Sequence, residues 1–225
     1  MFSETATAAS WRDRALERSL EPARARSVER LERLLDAARG LANETGRAAF
    51  TVAQVAARAE LSLKSFYRCF AGKDDLLVAL LEEDSRLGAM ILTELVDAHP
   101  EPEARLRAYV TSLFELLTDD DALGYAGVLV REHRRLSEQR PEEMRRALAP
   151  MIDLLEREIA AATAAGVCAS PNPARDADLV FALVLEGIYD VSLGRAEPLD
   201  EAAYLWGFCW AGLSNPRVDP GGRER

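Results

Sequence analysis

Cysteine and histidine are scarce in this chain, at three and two of 225 residues. Cys69, Cys168 and Cys209 stand far apart, are odd in number and show no CxxC spacing. That excludes a disulfide framework and reads as reduced thiols in a cytoplasmic protein. Neither His99 nor His133 has a second His, Cys or acidic residue at a convincing metal-ligand spacing, so no metal site is expected. Glu132 beside His133 reads as part of a charged helix face. A Gly-rich phosphate loop and a GxSxG elbow are also missing. These absences leave no expectation of an enzyme or of a cofactor. No apolar run is long enough to span a bilayer, which excludes a membrane partner. Near the N-terminus, Glu4, Arg12, Asp13 and Arg14 interrupt any apolar core of a secretory signal.

What the chain has is apolar bulk and unevenly spread charge. It is 48% hydrophobic and 29% charged, enough for a sizeable core in one large helical domain or a small domain joined to a larger one. The net charge of -10 argues, taken alone, against nucleic acid. Yet residues 1–76 hold 13 Lys+Arg against 11 Asp+Glu, whereas residues 77–225 hold 15 against 27. The acidity belongs to the C-terminal two-thirds.

The hydrophobic periodicity is helical throughout, and no strand alternation is found. Residues 1–26 read as a flexible, in part helical N-terminal arm, either a solvated tail or a basic arm that touches DNA through Arg24 and Arg26 among others. From Ser27, apolar residues recur at three- and four-residue steps (Val28, Leu31, Leu34, Leu35, Ala38, Leu41) until Gly46. In "TVAQVAARAELS", Thr51 and Gln54 fit a capping box, and Val52, Val55, Ala56 and Ala59 form one inward face. Glu60 and Leu61 make a tight break, and Ser62 is placed to cap a third, short helix ending near Gly72. Two short helices behind a longer one describe a helix-turn-helix over residues 27–72, whose last helix enters the DNA major groove. Long helices are expected from Lys73 to about Ala98, Glu103 to Leu117, Ala122 to Glu138, Pro141 to Ala165, Asp176 to Leu193 and Asp200 to Leu213. They form a domain over residues 73–215, followed by a polar tail at 216–225.

The stretch "TVAQVAARAELSLKSFYRCFAGKDDLL" resembles the DNA-binding segment of the TetR family of bacterial transcriptional regulators. The residues that carry the likeness are Thr51, Val55, Ala56, Ala59, Ser62, Phe66, Tyr67, Phe70, Lys73, Asp74 and Leu76. Two positions depart from the family pattern, which often has Gly where this chain has Glu60 and Lys64. The resemblance implies that Tyr67 and Lys73 bind phosphates, with Thr51 and Ser62 as further backbone contacts. Leu63, Lys64, Ser65 and Arg68 are then the candidates for base edges, since Lys or Arg pairs with guanine and Leu63 meets a thymine methyl.

The same resemblance implies an all-α fold, with a three-helix DNA-binding domain followed by a larger helical effector-binding and dimerisation domain. The segment "DADLVFALVLEGIYDVSLG" is apolar nearly all round, as a helix buried on most sides should be. By the resemblance, the last two helices pair with those of a second subunit to make a homodimer. Candidate residues lining an effector pocket are Met90, Phe114, Tyr125, Leu129, Met151, Phe181 and Tyr189, with Glu186 as a polar anchor. The expected function is a repressor released from double-stranded operator DNA by a small-molecule effector. The alternative is a small-molecule-binding or interaction protein without specific DNA binding.

Overall fold

The computed structural model describes residues 11–215, and their regular structure is helical, as expected. In chain order the α-helices are α1 (Trp11–Thr45), α2 (Val52–Arg58), α3 (Leu63–Tyr67), α4 (Lys73–Asp97), α5 (Pro102–Glu115), α6 (Asp120–Gln139), α7 (Pro141–Ala164), α8 (Pro173–Ser192) and α9 (Pro198–Ser214). A single 3₁₀ turn, Leu116–Thr118, follows α5. Proline opens α5, α7, α8 and α9, where its missing N–H costs nothing and its fixed φ suits the first turn. The start thus falls at Pro102 rather than Glu103 for α5, at Pro173 rather than Asp176 for α8 and at Pro198 rather than Asp200 for α9.

Helix α1 is the main departure. It begins at Trp11 rather than at Ser27, so residues 11–26 of the expected arm are helical. Its Ala-, Arg- and Glu-rich sequence has strong helix propensity, and the helix passes through Pro22 at the loss of one backbone hydrogen bond. Residues 20–26 are exposed on every side, so local propensity rather than packing carries this extension. Val28, expected to face inward, is 47% exposed; the buried face starts at Leu31 and Leu34. Residues 1–10 and the tail at 216–225 lie outside the described residues.

Helices α1 to α3 close over Leu34, Ala38, Val55, Ala56, Phe66 and Phe70, which are continuous with Leu76 and Leu80 on α4. The turn between α2 and α3 is a Schellman motif. The Leu61 N–H donates to the Ala56 carbonyl at 2.8 Å and the Glu60 N–H to the Ala57 carbonyl at 3.0 Å. This geometry puts Glu60 in the left-handed region at φ 53°, where glycine is the usual occupant. Arg33 supports the turn by donating to the Ala59 carbonyl at 2.5 Å and to Glu60 at 3.3 Å.

The larger domain packs α4 against α7 and α5, α5 against α9, and α8 against α6, α7 and α9. Gly187 is where α5, α8 and α9 meet. A Cβ there would stand 2.5 Å from Leu205 Cδ1 and 2.9 Å from the ring of the fully buried Phe114. Glu158 on α7, only 3% exposed, receives Arg105 of α5 through two hydrogen bonds of 2.6 and 3.0 Å. Arg105 also reaches Asp97 at the end of α4 at 2.7 Å. A buried carboxylate is tolerated only with such paired donors.

Candidate nucleic-acid interface and effector cavity

The sequence builds α3 from its caps. Thr51 Oγ accepts from the Gln54 N–H at 3.2 Å and Gln54 Oε1 from the Thr51 N–H at 2.8 Å, completing the expected capping box that starts α2. Ser62 Oγ accepts from the Ser65 N–H at 3.1 Å, and the two hydroxyls lie 3.0 Å apart. Phe66, fully buried, anchors α3 from beneath, its ring nearly perpendicular to that of Tyr67 and tilted against that of Phe70. With Phe66 fixed inward, Leu63, Lys64, Tyr67 and Arg68 point outward, and Ser65 is half-buried at the rim. Leu63 is 48% and Tyr67 59% exposed, which places two large side chains in solvent beside two cations. Elsewhere most arginines of the bundle are tied to carboxylates, Arg105 and Arg135 among them. Lys64 and Arg68 have no such partner among the described residues.

Lys73 sits differently from the other expected phosphate contacts. Its ammonium donates to the Ala48 carbonyl and lies 4.9 Å from the centre of the Phe50 ring. It binds the α1–α2 connection to the first turn of α4, a structural duty that the sequence did not reveal.

Helix α6 fastens the larger domain to this module. Arg131 donates to the Gly46 carbonyl at 2.6 Å, just past the end of α1. Arg135 grips Asp74 at 2.6 Å, holding its carboxyl below the usual range, while Asp74 holds the guanidinium charged. Tyr125 donates to Asp84 of α4 at 2.5 Å, and Arg39 of α1 reaches the other oxygen of that carboxylate at 2.7 Å. Burial, helped by the Asp84 charge, keeps the Tyr125 hydroxyl protonated. Three helices therefore converge on Asp84.

Beside that node a cavity of about 180 Å³ opens between α4, α5, α6, α7 and α8. Of the eight residues expected to line a pocket, Leu129, Met151 and Phe181 do so. Tyr125 stands next to the cavity through Asp84, which is part of its wall. Phe114 is fully buried but packs toward Gly187 instead. Met90 faces solvent at 55% exposure, against Arg86. Glu186 pairs with Arg134 on the outer side of α6 and α8, and the same guanidinium lies 4.2 Å from the centre of the Tyr189 ring. Met90, Phe114, Glu186 and Tyr189 are therefore not wall residues of this cavity. The apolar run of α8 gave no indication of which side would carry Glu186.

Two wall residues escaped the sequence reading. Ser85 Oγ and His133 Nδ1 are buried with no hydrogen-bond partner, and both residues face the cavity. Burial and the neighbouring Arg134 push the His133 pKa down, so the ring is neutral. The only sequence signal was a polar residue on the inner face of an amphipathic helix. His133 also borders a second hollow on its other side, between α6, α7 and α8, lined in part by Ser137 and Arg145.

Helices α8 and α9 leave an apolar face uncovered. On α9, Ala203, Tyr204, Gly207, Phe208 and Ala211 recur at three- and four-residue steps and are all exposed. Tyr204 is 72% and Phe208 62% exposed. Trp206, in contrast, is buried and stacked on Trp210 with ring centres 5.3 Å apart. On α8, Leu179 adds 45% exposure. Among the described residues no helix is long and apolar enough to cross a membrane.

Residues 34–80 match the sequence model of bacterial regulatory proteins of the tetR family. Comparison with curated proteins finds no match. The fold is similar to that of the reduced form of NemR from E. coli, at 21% identity and a TM-score of 0.64 over 84% of this chain and 100% of that one. It is also similar to the transcriptional regulator FadR from Bacillus subtilis in complex with stearoyl-CoA, at 18% identity and a TM-score of 0.67 over 80% and 98%. RolR in complex with resorcinol is 16% identical, with a TM-score of 0.63 over 84% of this chain and 89% of that one.

Proposed function

We propose that this chain is a TetR-like transcriptional regulator, a cytoplasmic homodimeric repressor that leaves its operator when a small molecule fills the cavity beside Asp84. The observation that carries the reading is the outer face of α3, where Leu63, Lys64, Tyr67 and Arg68 stand exposed and the two cations are unpaired. Leaving cations unpaired in an acidic protein makes them available to phosphates and base edges. Thr51 and Ser62 are exposed at the starts of α2 and α3, within the same surface.

The uncovered face of α8 and α9 supports a two-fold dimer. Ala203, Gly207 and Ala211 form a small-residue track on which a second α9 can lie close, flanked by Tyr204 and Phe208. A dimer would set two copies of α3 about 34–36 Å apart, one turn of DNA. Helices α4 and α6 both wall the cavity, and both are fastened to the DNA-binding module through Asp84, Asp74 and Gly46. A ligand that separates those helices would change the spacing of the α3 pair. A differential affinity of about 1–3 kcal/mol between the two spacings is enough for regulation.

The test is selection of binding sites from a random duplex library by the native protein and by a Lys64→Ala/Arg68→Ala variant. Both side chains are exposed and unpaired, so the variant should fold normally. Enrichment of a near-palindromic site by the native protein alone is expected. Absence of enrichment at low salt would refute specific DNA binding and favour a ligand-binding protein without an operator.

A further inference from the structure

The cavity between α4, α5, α6, α7 and α8 stands out by its size and by the surface it presents. Protein interiors pack at the density of organic crystals, with few voids larger than a water molecule. This space measures about 180 Å³. Gly88 of α4 and Ala126 of α6 face it and leave room, while Leu81, Leu113, Leu129, Val130 and Ile188 supply much of the remaining wall. Three polar side chains border the space, and none presents a free polar atom to it. The Asp84 carboxylate is engaged by Arg39 at 2.7 Å and by Tyr125 at 2.5 Å. Ser85 Oγ and His133 Nδ1 are buried within the wall, with no surface open to the cavity. The surface that an occupant would meet is almost wholly carbon.

We propose that the effector is a small uncharged hydrocarbon, a single ring with short alkyl substituents and no hydrogen-bonding group, held by shape and dispersion alone. The inference rests on the regulatory reading in taking this cavity as the effector site. Water is a poor occupant, because an ordered water needs polar partners that this wall lacks. An apolar cavity of about 150 Å³ in another protein stays dry and binds benzene, and the space here is of the same order. A ligand hydroxyl or amide would leave its water partners and find none in exchange. A carboxylate or ammonium would fare worse, since an unpaired charge is the costliest group to bury. Gly88 gives a handle on the site. A Cβ there would stand 3.2 Å from Met151 Sδ, the flexible end of a side chain that also lines the cavity. A larger residue at 88 therefore fills the space, both by itself and through the thioether it displaces. His133, Leu148, Phe181 and Leu185 border both the cavity and the second hollow between α6, α7 and α8, which gives an apolar ligand its path inward.

The experiment is calorimetric titration of the full-length protein, without DNA, with toluene, phenol, benzoate, benzylamine and decanoate. The first four share one ring and differ in a single substituent. Toluene should bind at least about tenfold more tightly than phenol, the effect of one buried hydroxyl left without a partner. Benzoate and benzylamine, both charged at neutral pH, should not bind. Gly88→Leu should lose toluene binding yet melt at least as high as the native protein, because a good helix former replaces glycine inside α4. Ala126→Leu fills the same space from α6 and should lose toluene binding as well. Phenol binding as tightly as toluene, a charged ligand or decanoate binding best, no binding of toluene, or toluene binding retained in both variants would each overturn the proposal. Because DNA is left out, a toluene preference without any effect on operator binding would fault the regulatory reading alone. Release of operator DNA by a polar or charged ligand, without binding of toluene, would fault only this inference.

Discussion

Phe208 gives the most direct test of the proposed dimer. It lies on the uncovered face of α9 with 62% of its surface exposed. A phenylalanine buries on the order of 200 Å² when fully covered, so about 120 Å² of this side chain awaits a partner. At about 25 cal/mol per Å² that area stabilises a covered interface by about 3 kcal/mol. Alanine keeps the Cβ and its share of the contact, so Phe208→Ala loses about 2 kcal/mol per subunit. Two-fold symmetry makes the loss about 4 kcal/mol per dimer, or roughly a thousandfold in the dimer dissociation constant. Sedimentation equilibrium over a concentration series reads that constant directly. Leu116→Ala is the control, because Leu116 is 52% exposed in the turn after α5, away from α8 and α9 in sequence. A dissociation constant unchanged by Phe208→Ala, or shifted equally by Leu116→Ala, would refute the assignment of this face.

Two further predictions concern the module of α1 to α3 and its junction with α4 and α6. Glu60→Gly should raise stability by about 0.5–1 kcal/mol in urea unfolding, because it removes left-handed strain of about 1–2 kcal/mol and adds back part of that as unfolded-chain freedom. The exposed Arg33–Glu60 pair at 3.3 Å subtracts little from the gain, and a loss of stability would mean the pair matters more than the strain. Arg135→Ala should destabilise the protein at neutral pH, with the difference from the native protein closing in acid. The Asp74 carboxyl is held below its usual range by Arg135, so its contribution is fully present above the unfolded value of about 4 and is lost as pH falls through the folded one. A difference that persisted unchanged at pH 3 in thermal melts would count against this clamp.

The two departures from the family pattern are now explained differently. Glu60 occupies the left-handed position of a Schellman turn, held by backbone bonds that any side chain permits and by Arg33 on the outside. Lys64 is on the outer face of α3 and free of acidic partners, which adds a cation to the surface that faces DNA in the proposed complex. Lys73, in contrast, matches the family pattern, yet its ammonium is spent on Ala48 and Phe50. Loss of DNA binding on removing Lys73 would therefore mix a fold effect with a phosphate effect, which is why Lys64 and Arg68 are the better probes.

The order of helices, the capping of α2 by Thr51 and Gln54, the capping of α3 by Ser62 and the break at Glu60 were determined by the sequence alone. Each of these rests on residues within about six positions of one another, where backbone geometry and a side-chain oxygen settle the outcome. The inward residues Leu34 and Ala38 of α1 and Val55 and Ala56 of α2 followed for the same reason, each pair from the period of its own helix. Only the tertiary structure decided the rest. Asp84 joins residues from α1 and α6 that stand 45 and 41 positions away. Ser85 and His133 come to one cavity from different helices, and Glu186 and Tyr189 turn outward to Arg134 because α8 packs on α6 and not on itself. Such pairings depend on how each helix is rotated against its neighbours. That rotation is set by the sum of many apolar contacts across the bundle, which no single stretch of sequence contains.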